Sequence, residues 1–294
     1  MSYAASRSRV DVAERPFGRW VCLLPVALGV GIAVNSALGP FITEVIRYRV
    51  SETLRSQTVA LDAVSLLLVA PLSIAAGVLA LRAPADVRPR MLALPPALFV
   101  LYMIPQYVVG PDYLRLPGNN EAAFPLHLAL FVLGMAVAVT SWNAVVPERL
   151  PPPSRPRLVA GVLVALVLFL VVRYLPTILG SQPATADYRE GPTFFWVIAL
   201  LDLGVAVTAM VAAAAGLLVG ARWAGKAAYA ITGWFALVAI AVAAMALVMY
   251  VNDDPGSSGG AVATFAVAAF LLTAAALGAH VPLFRRDRRT GRAA

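Results

Sequence analysis

Two carboxylates stand inside stretches that are otherwise apolar: Asp62 in "VALDAVSLLLVAP" (59–71) and Asp202 in "IALLDLGVAV" (198–207). A charge held at the centre of a bilayer costs about 2.5 to 3.5 kcal/mol on insertion scales, so an acid kept there balances a cation, takes up a proton or contacts a ligand. Arg173 is the one basic residue within an apolar run, which makes an ion pair with Asp62 or Asp202 the natural expectation. Around these three, Asn35, Ser36, Ser65, Gln106, Tyr107, His127 and Tyr174 place further polar groups toward the same half of their runs, while the opposite half is mostly Ala, Val and Leu. The candidate ligand or proton site is therefore Asp202, Asp62, Arg173, His127, Asn35, Gln106, Tyr107 and Tyr174. Each has a plainer alternative. Asp62, close to the end of its run, also reads as a solvated or capping residue, His127 as a packing histidine and Arg173 as a structural counter-ion. Tyr102, Tyr107 and Trp196 read equally as interfacial anchors.

The elements that would hold these residues follow from hydropathy. The 294 residues are 61% hydrophobic and 13% charged, with a mean hydropathy of +0.82, outside the range of soluble domains. A spanning helix needs about 20 predominantly apolar residues. Eight such runs occur, at 20–43, 57–81, 91–110, 122–146, 158–180, 193–221, 227–251 and 261–284. None alternates as a barrel strand would, so the expected fold is all-α, a polytopic integral membrane protein of eight transmembrane helices. The first run is too long for a signal-peptide core and is read as a retained helix.

Orientation comes from the distribution of Lys and Arg. The N-terminal segment, the second, fourth and sixth loops and the C-terminus hold 17 of the 23 basic residues, and the alternate loops hold five. Those alternate loops collect the acids Glu44, Glu52, Asp112, Glu121, Asp187, Glu190, Asp253 and Asp254. With an even number of spans, both termini are expected on the cytoplasmic side of the plasma (inner) membrane. The basic excess is thereby explained by topology, without nucleic acid as a partner. The tail "FRRDRRTGR" reads as a stop-transfer anchor, with an anionic-lipid patch as its alternative.

An offset of 140 residues lays the first four runs on the last four, matching Tyr48 and Arg49 with Tyr188 and Arg189, Thr53 with Thr193, Leu61 and Asp62 with Leu201 and Asp202, and Arg82 with Arg222. Both acids then stand 20 residues before a basic residue, a rise of about 30 Å, the hydrocarbon thickness. The expected organisation is a cytoplasmic segment 1–19, a first four-helix repeat 20–146, a linker 147–157, a second repeat 158–284 and a basic tail 285–294, the two repeats related by an axis along the membrane normal. Small residues at helical spacing, Ala27, Gly31, Asn35 and Gly39 on the first helix and Asp202, Ala206, Ala209, Ala213, Gly216 and Gly220 on the sixth, suggest faces of close packing. Pro71 is expected to kink the second helix.

Other chemistry finds no support. Cys22 is the single cysteine, so no intramolecular disulfide forms. Two separated histidines make no haem or zinc site, no phosphate-cradling loop or H-E-x-x-H occurs, and no cofactor is called for. "GSSGG" (256–260) fits the nucleophile-elbow pattern but lacks its strand-turn-helix setting. The segments "LDAVSLLLVAPL" (61–72), "LYMIPQY" (101–107), "FPLHLALFVLG" (124–134) and "LDLGV" (201–205) together resemble a group of uncharacterised polytopic bacterial membrane proteins. The resemblance implies a helical integral membrane protein and brings no activity.

The leading functional expectation is a small-molecule transporter or membrane ligand-binding protein with an outward-facing polar cavity, Asp202 serving as its proton or cation site. The alternatives are a membrane-embedded enzyme acting on a lipid or isoprenoid with an Asp and His127 in acid-base roles, and a sensor or accessory subunit of a membrane complex. The bilayer itself and an unknown small molecule are the partners these readings share.

Overall fold

A computed structural model describes residues 19–108, 115–180, 188–189 and 191–284. The first 18 residues, Asp112, Asp187, Glu190 and the tail 285–294 lie outside the described residues, and with them most of the N-terminal segment and all of the C-terminal tail. The fold is all-α, and among the described residues eight helices are long and apolar enough to cross a membrane: α1 (Trp20–Leu38), α2 (Glu52–Arg82), α3 (Val87–Val108), α4 (Asn120–Ala144), α5 (Pro156–Ile178), α6 (Pro192–Val219), α7 (Ala224–Val251) and α8 (Gly259–Phe284). Among the described residues there is no strand.

The ends of the helices follow local chemistry. The first apolar run continues to 43, yet α1 stops at Leu38, where Gly39 takes up an extended conformation and Pro40 follows. Helix α2 begins earlier than its apolar run because Ser51 caps it, its side chain accepting the Leu54 N–H at 3.3 Å. The irregularity expected at Pro71 takes the form of a π-helical turn, Ser65–Val69, just before the proline. Pro71 has no N–H to offer the preceding turn, and the wider turn accommodates the loss. A second π-helical stretch, Leu201–Val207, lies in α6 and contains Asp202.

Consecutive helices pair, α1 with α2, α3 with α4, α5 with α6 and α7 with α8, and α7 also packs on α2, α3 and α6. Close approach of α1 and α2 depends on Gly29 and Gly77. A Cβ on Gly29 would lie 2.7 Å from the Ala70 carbonyl, and one on Gly77 would lie 2.9 Å from the Val26 N–H. The face of α1 turned inward is Leu28, Ile32, Asn35 and Ser36. Ala27, expected in a small-residue packing stripe, is exposed, and Gly31 instead meets Leu130 of α4. On α6 the stripe is buried at Asp202, Ala206, Ala213 and Gly216, while Gly220 is exposed in a left-handed turn. Large apolar side chains such as Leu67, Leu168, Val219 and Phe270 face outward, as a lipid-facing surface requires.

Both halves pair their helices alike and both carry a π-helical turn in their second helix, but their cross-contacts differ. Helix α1 packs along α4 and α2 along α7, whereas the counterpart contacts, α5 with α8 and α6 with α3, are slight. These contacts leave the 4+4 repeat unconfirmed.

At the end bearing the connections 83–86, 145–155 and 220–223, Lys226 of α7 ties down the last turn of α4. Its ammonium donates to the carbonyls of Trp142 at 2.7 Å and Val145 at 3.1 Å and lies 4.1 Å from the centre of the Trp142 ring. A cation there satisfies orphan carbonyls at the negative end of the helix. Lys226→Met, which keeps the stem and removes the donor, is expected to lower stability by about 1 to 3 kcal/mol, read as a fall in Tm by thermal unfolding in detergent.

Candidate functional site

Helix α3 carries Tyr102 and Tyr107, five residues apart, which at 100° per residue point to well-separated faces. Each reaches one of the two acids. Tyr107 donates its hydroxyl to Asp62 Oδ1 at 2.9 Å. Tyr102 donates to Asp202 Oδ1, and Tyr174 of α5 donates to Asp202 Oδ2 at 2.5 Å. Both carboxylates are buried.

The ion pair expected from the sequence does not form. Neither carboxylate makes a salt bridge with Arg173, which is exposed, with its guanidinium 5.5 Å from the centre of the Tyr174 ring. Tyrosine hydroxyls on neighbouring helices supply the donors, and the exposed arginine acts on Asp202 only through space, without a direct bond. Gln106 is also set apart, its Nε2 donating to the Tyr102 carbonyl at 3.1 Å along its own helix.

The two acids differ in what remains unsatisfied. Both Asp202 oxygens accept a hydrogen bond. Asp62 is 0% exposed, and its Oδ2 has no hydrogen-bond partner. The Phe41 N–H is nearby but outside hydrogen-bonding geometry. Asn35 Oδ1, Ser36 Oγ, the Tyr48 hydroxyl and both ring nitrogens of His127 are likewise buried without partners. Unsatisfied buried polar atoms are rare in native proteins, and each calls for an explanation.

These groups form one cluster. The Tyr107 ring stacks on Tyr48 at 4.9 Å and on His127 at 5.7 Å, with Tyr48 and His127 6.0 Å apart. Burial, with the Asp62 charge beside it, raises the Tyr48 phenol well above its ordinary pKa, so it stays protonated as a donor; Asn35 faces it from α1. A Cβ added to Gly39 would sit 2.1 Å from Asp62 Oδ2, so the end of α1 and Asp62 approach this closely only with glycine there. Beside this cluster, Asn35, Ser36, Ser65 and Tyr107, with apolar neighbours from α1, α3 and α4, line a small cavity of about 20 Å³, and Asp62, Tyr48 and His127 are not on its wall; it has room for one water-sized occupant.

Loop 39–51 closes over this cluster and carries Tyr48 into it. The Arg47 N–H donates to Asn119 Oδ1 at 2.7 Å, and the Asn119 N–H returns a bond to the Arg47 carbonyl at 2.8 Å. The Arg49 N–H donates to Asn120 Oδ1 at 2.7 Å, Asn120 Nδ2 reaches the Tyr107 carbonyl at 3.1 Å, and the Arg49 side chain pairs with Glu121 at 3.2 Å. No family model, curated protein or solved structure matches this chain. The candidate site thus stands on its own geometry, and the resemblance in its sequence adds no residue roles.

Of the residues singled out in the sequence, the structure brings Asn35, Asp62, Tyr107 and His127 together, places Tyr174 with Asp202, and sets Arg173 and Gln106 outside the Asp62 cluster. Tyr48 and Tyr102 were not among the candidates. Tyr48 stands in a polar connection and Tyr102 near a helix end, where a tyrosine most simply reads as an anchor. Their roles come from helices and loops that are distant in the chain. Hydrogen bonds to a charged group contribute about 1.5 to 3 kcal/mol each, so Tyr102→Phe and Tyr174→Phe are each expected to lower stability by that order. Arg173→Gln is expected to change it far less. Thermal unfolding of the three variants in detergent checks this, and an equal loss in Arg173→Gln would contradict the tyrosine-held carboxylate.

Proposed function

We propose that this integral membrane protein is a small-molecule transporter or ligand-binding membrane protein whose buried polar cluster around Asp62, together with the small cavity beside it lined by Asn35, Ser36, Ser65 and Tyr107, forms a chamber beneath loop 39–51 that receives its ligand from the outer side. The observation that carries this reading is the set of unpartnered polar atoms on Asn35, Ser36, Tyr48, Asp62 and His127, buried residues that either touch Tyr107 or share with it the lining of one small cavity. Desolvating such groups without compensation costs free energy at each atom, and a site that exchanges an occupant is a reason to bear that cost. Asp62 takes precedence over Asp202 here, because both Asp202 oxygens are already held by tyrosines. Loop 39–51, strapped by Asn119 and Asn120, is the element that opens and closes the chamber.

The bias of basic residues supports an orientation with both termini in the cytoplasm and loop 39–51 outside. A reporter fused at Arg88 is expected to report a cytoplasmic location, and one placed at Ser257 an external one; the reverse result would invert the assignment.

Access to the chamber can be tested without knowing the ligand. Ser36 is 0% exposed, so in a Cys22→Ser background Ser36→Cys is reachable by a membrane-impermeant methanethiosulfonate only if the chamber opens. Labelling from the outside is expected, slowed about tenfold or more when a disulfide between Arg47→Cys and Asn119→Cys tethers the loop, and restored after reduction. A folded, membrane-inserted Ser36→Cys protein that stays unlabelled would remove the reading.

A further inference from the structure

We infer that Asp62 is a proton-binding site, a neutral carboxylic acid beneath the closed loop 39–51 that releases its proton to the outer side when the loop opens; the release rests on the chamber reading above, the protonated closed state does not. Asp62 is 0% exposed, and the Tyr107 hydroxyl donates the hydrogen bond to its Oδ1. The Phe41 N–H lies nearby without bonding. The other titratable groups facing it are neutral aromatics: Tyr48 from the loop, stacked on Tyr107, and His127 of α4 across the Tyr107 ring. The cations of the loop and of the first turn of α2 are spent at the surface, where Arg47 is exposed, Arg49 pairs with Glu121, and Arg55 pairs with Glu44 and Glu52. Helix α1 contains no charged residue, and α7, which packs along α2, contains none between Lys226 and Asp253. Burying a charge with no counter-ion is costly, and a carboxyl group in that position is neutralised by a proton instead.

The surroundings of Oδ2 fit the acid form on geometry. A Cβ on Gly39 would lie 2.1 Å from Asp62 Oδ2 and 3.4 Å from the Asn35 carbonyl oxygen, so Oδ2 stands at the carbonyl end of α1. That end of a helix carries a partial negative charge of about half an electron and disfavours an anion. A carboxylate oxygen only accepts hydrogen bonds, whereas a protonated carboxyl offers one O–H donor. Protonation of Oδ2 therefore turns an acceptor without a donor into a donor facing backbone acceptors, while Oδ1 goes on accepting from Tyr107. Asp202 differs, because both of its oxygens accept tyrosine hydroxyls and neither is open to a proton without displacing a donor.

Opening of loop 39–51 withdraws Tyr48 and admits water, which solvates a carboxylate. The Oδ2–H bond then breaks and the proton passes to bulk water on the outer side; closure takes one proton back from that water and forms the bond again. The closed state thus holds one proton more than the open state. Rising pH favours opening and falling pH favours closure, by about tenfold per pH unit wherever the two states differ by that one proton.

The test uses the full chain purified in detergent. Infrared spectra near neutral pH are expected to show the carbonyl stretch of a protonated carboxylic acid, lost in Asp62→Asn and retained in Asp202→Asn. Tyr107→Phe removes the hydrogen bond to Oδ1 and should shift that band, which carries the assignment if Asp62→Asn fails to fold. In a Cys22→Ser background, labelling of Ser36→Cys from the outside is divided at each pH by that of the exposed Ser258→Cys, which removes the thiol's own titration. The ratio is expected to rise about tenfold per pH unit and to become flat in Asp62→Asn. Absence of the acid band in the wild type, its persistence in Asp62→Asn with loss in Asp202→Asn, or an equal pH slope of labelling in Asp62→Asn would overturn the proposal. An acid band assigned to Asp62 together with a Ser36→Cys that stays unlabelled at every pH would overturn the release and the chamber reading while upholding the protonated acid, so the two failures are told apart.

Discussion

Inside a bilayer no water completes a missing hydrogen bond, so a buried carboxylate is held only by what neighbouring helices present to it. In this bundle the donors are tyrosines, and helix α3 supplies one to each acid. Tyr107 fixes Asp62 of α2 and Tyr102 fixes Asp202 of α6. The two hydroxyls leave one helix on different sides because five residues correspond to about 140° of net rotation. Helix α3 thereby links the second helices of the two halves through its tyrosine hydroxyls, although its main packing is on α4 and α7. Its contact with α7, the helix that also meets α2, α6 and α8, connects it to the centre of the bundle.

The two acid sites, alike in sequence, are unlike in structure. At Asp202 a second tyrosine, Tyr174, completes the carboxylate and leaves both oxygens bonded. At Asp62 the place of a second donor is taken by the end of α1 and by a loop tyrosine that does not bond to it, so one oxygen stays open. The difference traces to local backbone: Gly39 lets the end of α1 approach the acid, and loop 39–51 folds inward under straps from Asn119 and Asn120. A 140-residue offset that equates the two acids cannot see this, because matched positions in the chain meet unmatched neighbours in space.

The opposite end of the molecule obeys the same constraint with different means. Lys226 closes the carbonyl end of α4, Tyr229 donates to the Pro151 carbonyl at 3.0 Å, and Ser73 in the middle of α2 donates to the Pro25 carbonyl of α1 at 2.7 Å. Each of these polar side chains is paid for by a specific backbone acceptor, and each crosses between helices. Among the described residues, most of the buried side-chain atoms without a hydrogen-bond partner lie around Asp62, with Trp234 Nε1 and Thr273 Oγ1 apart from them, and the functional reading rests on that concentration.

Hydropathy is a property of consecutive residues, which is why the sequence alone determined that the chain spans a membrane eight times as helices, where most spans begin and end within a few residues, and that Asp62 and Asp202 lie within them. It also marked Asn35, Tyr107 and His127 as polar groups needing an explanation. What it could not determine was pairing. The expected partner of the acids was Arg173, the one basic residue within an apolar run, because opposite charge is the sole criterion available without coordinates; the structure leaves Arg173 exposed, acting on Asp202 only through space, and gives the direct bonds to Tyr102, Tyr107 and Tyr174. Tyr48 entered the site only because a loop folds back over the helix ends. Which side chain faces which depends on the rotation and packing of helices far apart in the chain, set by small residues such as Gly29, Gly39 and Gly77 where backbones touch. That information is spread over contacts between helices, and tertiary structure alone decides it.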